Sequence, residues 1–146
     1  MCELCMPREA EGIMANPKHT IFVVDDEKII ANPLSNFLRD ADFAVETFYD
    51  ARSALLRASD RLPDILVTDV NMPEMDGITL AKALREQNPN SKVILMTGSP
   101  ELKTRGRLQA DRLDGFALLP KPFSPDQLLR LIITELFNAE FNLGYK

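Results

Sequence analysis

Four short apolar runs each lead into a polar residue of a kind that can do chemistry. Residues 21–24 (IFVV) run straight into Asp25 and Asp26, residues 64–68 (DILVT) into Asp69, and residues 92–96 (KVILM) into Thr97. Residues 116–119 (FALL) are followed by Pro120 and Lys121. Three carboxylates gathered about 5 Å apart would repel one another by roughly 3 kcal/mol per pair at an effective dielectric near 20. Such a group either takes up protons or holds a cation. Hard oxygen donors with no His or Cys beside them favour Mg²⁺, which keeps several waters and uses one or two carboxylates together with a phosphate. An open, partly hydrated metal site beside a carboxylate nucleophile and a lysine suits phosphoryl transfer.

These residues meet only if the fold brings the ends of their runs together. A continuous apolar run such as IFVV is of the kind buried on both faces of a parallel sheet, whereas Ala44–Phe48 (AVETF) alternates and suits a sheet edge. Between the five runs, helices are predicted over 28–40, 51–59, 78–87, 100–111 and 125–139. Leu80, Ala83 and Leu84 make one apolar helical face, and Leu128, Leu129, Ile132 and Leu136 another. Five strands alternating with five helices predict a parallel sheet with right-handed crossovers and helices on both faces. In such a sheet, ligands bind at the carboxyl ends of the strands, which is where all the polar residues above fall. Two helices carry local conflicts. Pro33 removes a backbone bond from the first and predicts a kink near its second turn; Gly106 and few large apolar residues make the fourth the least stable.

The 146 residues, 45% hydrophobic and 27% charged, fit one domain with a sizeable core. A net charge of -5 speaks against a nucleic-acid binder, and the densest basic cluster, Lys103, Arg105, Arg107 and Arg112, makes no continuous stripe. No run approaches the roughly 20 apolar residues of a membrane span, and MCELCMPREAEG lacks the basic start and apolar middle of a secretory signal, so the expected location is cytoplasmic. Residues 1–18 are polar, contain Pro7, Gly12 and Pro17 and show no periodicity, which predicts a disordered extension before a domain over 19–140 and a tail over 141–146. Cys2 and Cys5 form a lone CxxC with no second ligand pair, read as two free thiols. His19 has no acid or cysteine pattern around it and is given no role.

VVDDE, TDVNMPEMDG, MTGS and PKPF, in this order and spacing, resemble the receiver domain of two-component response regulators, over about residues 20–139. Any one of these motifs alone would say little; Asp25 or Asp26 by itself could simply cap the helix that begins EKII. Four of them at four strand ends of a five-strand pattern are specific. The resemblance implies a flavodoxin-like (βα)5 α/β sandwich with a five-stranded parallel sheet of order 2-1-3-4-5. It further implies that Asp69 accepts a phosphoryl group from a phosphohistidine on a sensor histidine kinase or phosphotransfer protein. Asp26 would then ligate Mg²⁺ (or Mn²⁺) directly, Asp25 through water, and Asn71 through its backbone carbonyl. Lys121 would pair with the phosphoryl oxygens, Thr97 would move its hydroxyl onto the phosphoryl group, and Gly98 would leave the approach to Asp69 open. Met72 and Pro73 would shape the loop, Asp76 with Gly77 would start the third helix, and the Lys121–Pro122 bond is a candidate for the cis form.

The chain departs from the family pattern at Leu118, where a Tyr or Phe is usual three residues before the lysine. Phe116 lies two residues earlier on the same strand face, displaced by about 6.6 Å. Switching is then expected to rest on the fourth helix rather than on ring burial. Only EFNLGYK follows the last predicted helix, too short for a DNA-binding module, so the expected reader of the phosphorylated state is another protein or a second copy. Ile133, Phe137 and Phe141 flank the core stripe of that helix, either completing the core or forming a docking face, and a homodimer through the helix 4, strand 5 and helix 5 face would use this side. The reading is of a switch that reacts only on itself, not an enzyme; the alternative is a relay intermediate that hands its phosphoryl group to a histidine phosphotransfer protein. A phosphatase of the haloacid dehalogenase type is disfavoured because the acid it needs two residues after Asp69 is Asn71, and a cofactor-binding flavodoxin because there is no Gly-rich phosphate loop.

Overall fold

The computed structural model describes residues 18–98, 112–113 and 115–145. The elements run β1 (Thr20–Val24), α1 (Lys28–Asp40), β2 (Ala44–Phe48), α2 (Ala51–Ala58), β3 (Ile65–Asp69), α3 (Gly77–Gln87) and β4 (Lys92–Thr97). They continue through β5 (Arg112–Leu113), β6 (Phe116–Pro120) and α4 (Pro125–Tyr145). The sheet order is β2-β1-β3-β4-β6-β5, and every pairing is parallel except the two-residue β5 against β6. The five parallel strands therefore carry the predicted 2-1-3-4-5 order, with β6 as the fifth. β5 was not predicted; two residues are too few to show an apolar period. The predicted fourth helix, the basic cluster apart from Arg112, the amino-terminal extension and Cys2 and Cys5 lie outside the described residues.

Successive strand residues feed opposite faces, as the period of two requires. Phe22, Val24, Leu66, Leu95, Phe116 and Leu118 pack against α2 and α3, through Ala51, Ala54, Ala58, Leu80, Ala81 and Leu84. Ile21, Val23, Ile65, Val67, Ile94, Met96, Ala117 and Leu119 pack against α1 and α4, through Ala31, Leu34, Leu38, Leu128 and Ile132. Two apolar layers thus clamp the sheet. On the edge strand β2 every residue is half-buried, in keeping with its alternating sequence; there Arg57 grips Glu46 through two hydrogen bonds of 2.8 and 3.1 Å.

Caps set the helix starts. Asp50 accepts from the Ser53 N–H at 2.7 Å and Asp76 from the Thr79 N–H at 2.8 Å. Ser124 and Gln127 form a reciprocal capping box that launches α4. Pro33 sits inside α1, which runs unbroken from Lys28 to Asp40. On α3 the buried stripe is Leu80, Ala81 and Leu84, with Ala83 only half-buried, a rotation of the expected face by one residue. The last helix extends past the predicted end at residue 139 to Tyr145, because nothing between them breaks a helix until Gly144.

Candidate functional site

Parallel strands in register deliver their carboxyl ends to one edge. Asp69 is the last residue of β3 and Thr97 the last of β4, each one step inside its strand rather than beyond it as the apolar runs suggested; Asp25 directly follows β1, and Lys121 directly follows β6. The Lys121 N–H donates to the Thr97 carbonyl at 2.8 Å, which prolongs the β4–β6 ladder by one residue and fixes the root of the lysine. From there its ammonium donates to Asp69 Oδ1 at 3.1 Å and lies 3.6 Å from Asp25 Oδ2. The Lys121–Pro122 peptide is cis.

The three carboxylates differ in setting. Asp25 is fully buried; its N–H donates to the Phe48 carbonyl at 3.1 Å, and its Oδ1 accepts from the Glu27 N–H at 3.0 Å. The N-cap residue Glu27 makes no side-chain cap, so α1 starts from Asp25's grip on the loop rather than from a capping acid. Asp26 is exposed. Asp69 retains 8% of its surface, enough to be reached from solvent. One oxygen from each of Asp25, Asp26 and Asp69 lies within 4.8 Å of the others.

Burial pushes the Asp25 carboxyl above the usual carboxylate range; the Glu27 N–H pulls it back, and the Asp69 charge raises it again. Burial likewise raises Asp69, only partly offset by the Lys121 hydrogen bond and charge. Burial works against the Lys121 ammonium, but the hydrogen bond and charge of Asp69, with Asp25 behind them, outweigh it and hold its pKa above the ordinary lysine value. One ammonium thus faces two buried carboxylates and a third at the rim. Among the described residues, Asp25 Oδ2 is buried with no hydrogen-bond partner, the Lys121 ammonium standing 3.6 Å away. An all-oxygen donor set with an orphaned buried lone pair fits a hard divalent cation such as Mg²⁺.

Thr97 is fully buried at the end of β4. Asn71 is exposed on the loop two residues beyond Asp69. Gly98 is exposed, and a Cβ there would meet nothing within 4 Å, so crowding by described residues gives no reason for glycine at that position. Leu118 and Phe116 share the layer facing α3, 7% and 2% exposed, and the Arg85 guanidinium stacks over the Phe116 ring at 4.6 Å. Both side chains therefore belong to the core.

Gly77 does more than turn the chain. A Cβ on it would overlap the backbone carbonyl of Asp69 and sit 3.1 Å from Thr68 Cγ2, while its N–H donates to the Val70 carbonyl at 2.9 Å. The start of α3 is thereby pressed against the backbone that carries Asp69. The sequence signal was present in MDG, but a turn accounts for it equally well. Beside the loop that holds Asp25, the Tyr49 hydroxyl donates to Asn32 Oδ1 at 2.6 Å and the Lys28 ammonium lies 5.0 Å from the Tyr49 ring centre. No sequence pattern announces contacts between residues so far apart.

The response regulator receiver domain family matches this chain over residues 21–133. The chain is 35% identical to the DNA-binding transcriptional regulator NtrC of Proteus hauseri, across 79% of this chain and 24% of that protein. It is 33% identical to the transcriptional regulatory protein FixJ of Bradyrhizobium diazoefficiens, across 84% of this chain and 59% of that one. The match thus spans about a quarter of the NtrC protein's length. Among solved structures, the chemotaxis response regulator CheY4 of Vibrio cholerae superposes with a TM-score of 0.70 at 33% identity, covering 82% of this chain and 99% of that one. A CheY-like receiver domain protein of Methanospirillum hungatei reaches 0.75 at 26% identity, covering 86% and 99%.

Proposed function

Because the chain belongs to the response regulator receiver domain family, we propose that it accepts a phosphoryl group on Asp69 from the phosphohistidine of a sensor kinase and signals through altered protein contacts. The observation that carries this reading is the setting of Asp69: a nearly buried carboxylate, 8% exposed, with Lys121 Nζ 3.1 Å from Oδ1 and two further acids at hand. A carboxylate oxygen of Asp69 attacks phosphorus, forming the P–O bond of an acyl phosphate as the P–N bond to the donor imidazole breaks; that nitrogen keeps the electron pair and is protonated. Lys121 is already positioned for the charge that gathers on the transferring oxygens, and it pairs with the phosphoryl group afterwards.

Asp26 and Asp69 would hold Mg²⁺, with Asp25 behind them and the Asn71 carbonyl as a further donor; when bound, the ion neutralises carboxylate and phosphoryl charge. Burial raises the cost of an uncompensated charge on Asp25, and a cation bound beside it would offset that cost. Thr97, at the adjoining strand end, follows the phosphoryl group with its hydroxyl. The protein turns over no separate substrate and works inside the cell as a switch. Incubation with acetyl phosphate and Mg²⁺ followed by intact mass should show one added phosphoryl group, absent in Asp69→Asn and absent with chelator. An equal addition to Asp69→Asn would refute the assignment. Passage of the phosphoryl group onward to a histidine phosphotransfer protein uses the same residues, and a transfer assay separates the two roles.

A further inference from the structure

At the end of the sheet opposite Asp69, a hollow of about 170 Å³ is lined by His19, Phe43, Ile133, Leu136 and Phe137. Its outer wall is apolar and partly open to solvent. Ile133 and Phe137, one turn apart on α4, are 39% and 62% exposed, while Leu136 and Phe43 beside them pack into the core. A large aromatic standing over an apolar hollow marks a place where another apolar group gains by docking.

The path of the chain says which group is nearest. Asp64 Oδ2 accepts the Thr20 N–H at 2.8 Å and lies 3.6 Å from His19 Nδ1, and Lys18 pairs with Asp42 at 3.5 Å. These contacts pin residues 18–20 at the rim of the hollow, so residues 1–17 join the domain there. Within that segment the large aliphatic residues nearest to the rim are Met14 and Ile13, five and six positions before His19. Six residues reach at most about 20 Å, enough to cross the hollow and return. A tethered segment presents itself at roughly millimolar effective concentration, far above a second copy at micromolar protein.

We propose that the hollow between Phe43 and α4 is the seat of the chain's own amino-terminal segment, with Ile13 and Met14 placed against Phe43, Ile133 and Phe137. The unbranched, flexible Met side chain suits an irregular cavity. Occupancy would shield Phe137 and tie residues 1–17 to the outer face of α4.

The test uses the full chain. Ile13→Ser/Met14→Ser alters no described residue, so its effect on the domain can come only through docking. The ¹H–¹⁵N amide shifts of Phe43, Ile133, Leu136 and Phe137 should move together in this variant while those of β3 and β4 stay fixed. The reciprocal variant Phe137→Ser, at an exposed position, should speed tryptic cleavage after Arg8 by roughly threefold to tenfold, the factor by which the open population rises. Unmoved amides, or cleavage after Arg8 as fast in the parent protein as in Phe137→Ser, would overturn the proposal. Shifts at the hollow that depend on protein concentration and accompany a dimeric mass would also overturn it, assigning the hollow to a second copy.

Discussion

Replacing Asp25 by Asn should make the metal-free protein more stable and the magnesium-loaded protein less so. Asp25 is fully buried, and one of its oxygens lies within 4.8 Å of a carboxylate oxygen of Asp26 and one of Asp69. At an effective dielectric of about 20, the repulsion from Asp69 at that outer separation is about 3.5 kcal/mol and more if the oxygens are closer, and that from exposed Asp26 is reduced because solvent screens it. Lys121, 3.6 Å away, returns about 4.6 kcal/mol. Charge pairing therefore nearly cancels, and burial decides the sign, which is the direction in which the Asp25 pKa moves. The amide keeps an acceptor for the Glu27 N–H and sheds the buried charge. Without metal the variant should therefore unfold at a higher temperature than the parent. Saturating Mg²⁺ should stabilise the parent by about 2.7 kcal/mol at a hundredfold excess over Kd, and the variant far less, so the order of stabilities reverses. Thermal unfolding with EDTA and with Mg²⁺ measures both. The pH dependence follows from the raised pKa. Between the ordinary carboxylate value and the raised native one, the folded state binds more protons than the unfolded, so parent stability falls as pH rises through this window. The advantage of Asp25→Asn should accordingly vanish at the acid end and grow toward neutral pH. A variant less stable than the parent in EDTA, or stabilised by Mg²⁺ as strongly as the parent, would refute this electrostatic account.

Two further perturbations separate the parts of the site. Lys121→Ala should leave magnesium binding within about tenfold of the parent or tighter, since it removes a competing cation, while phosphorylation by acetyl phosphate slows; because the Lys121 pKa is raised, the stability it contributes is present below the ordinary lysine value and disappears as alkaline pH passes its native one, as urea unfolding at several pH values would show. Gly77→Ala should cost about 1–3 kcal/mol in urea unfolding and disturb the Asp69 amide shift, because the added Cβ must displace the Asp69 carbonyl or the start of α3; an unchanged midpoint would mean that the contact relaxes freely.

Strand positions and strand order were legible because the apolar runs are continuous where both faces are covered and alternating at the β2 edge. The site was legible for the same reason: Asp25, Asp69, Thr97 and Lys121 interrupt that pattern where a parallel sheet gathers its carboxyl ends. Less could be read where a residue answers to two physical demands at once. Gly77 satisfies a helix start and a close backbone approach, and the sequence shows only that one of them applies. Contacts such as Tyr49 with Asn32, or Arg85 over Phe116, join side chains brought together by packing, for which no spacing rule exists. The extension of α4 to Tyr145 reflects the absence of a breaker, a weaker signal than a cap, and β5 is shorter than any period.

The central claim is that Asp69 is the residue that takes the phosphoryl group. Reduction of the acetyl phosphate-treated protein with borohydride converts an aspartyl phosphate into homoserine, and peptide mapping then locates it. The account predicts homoserine at position 69 alone, only when Mg²⁺ was present during phosphorylation. Homoserine at Asp25, Asp26 or Asp76 with Asp69 intact would contradict it.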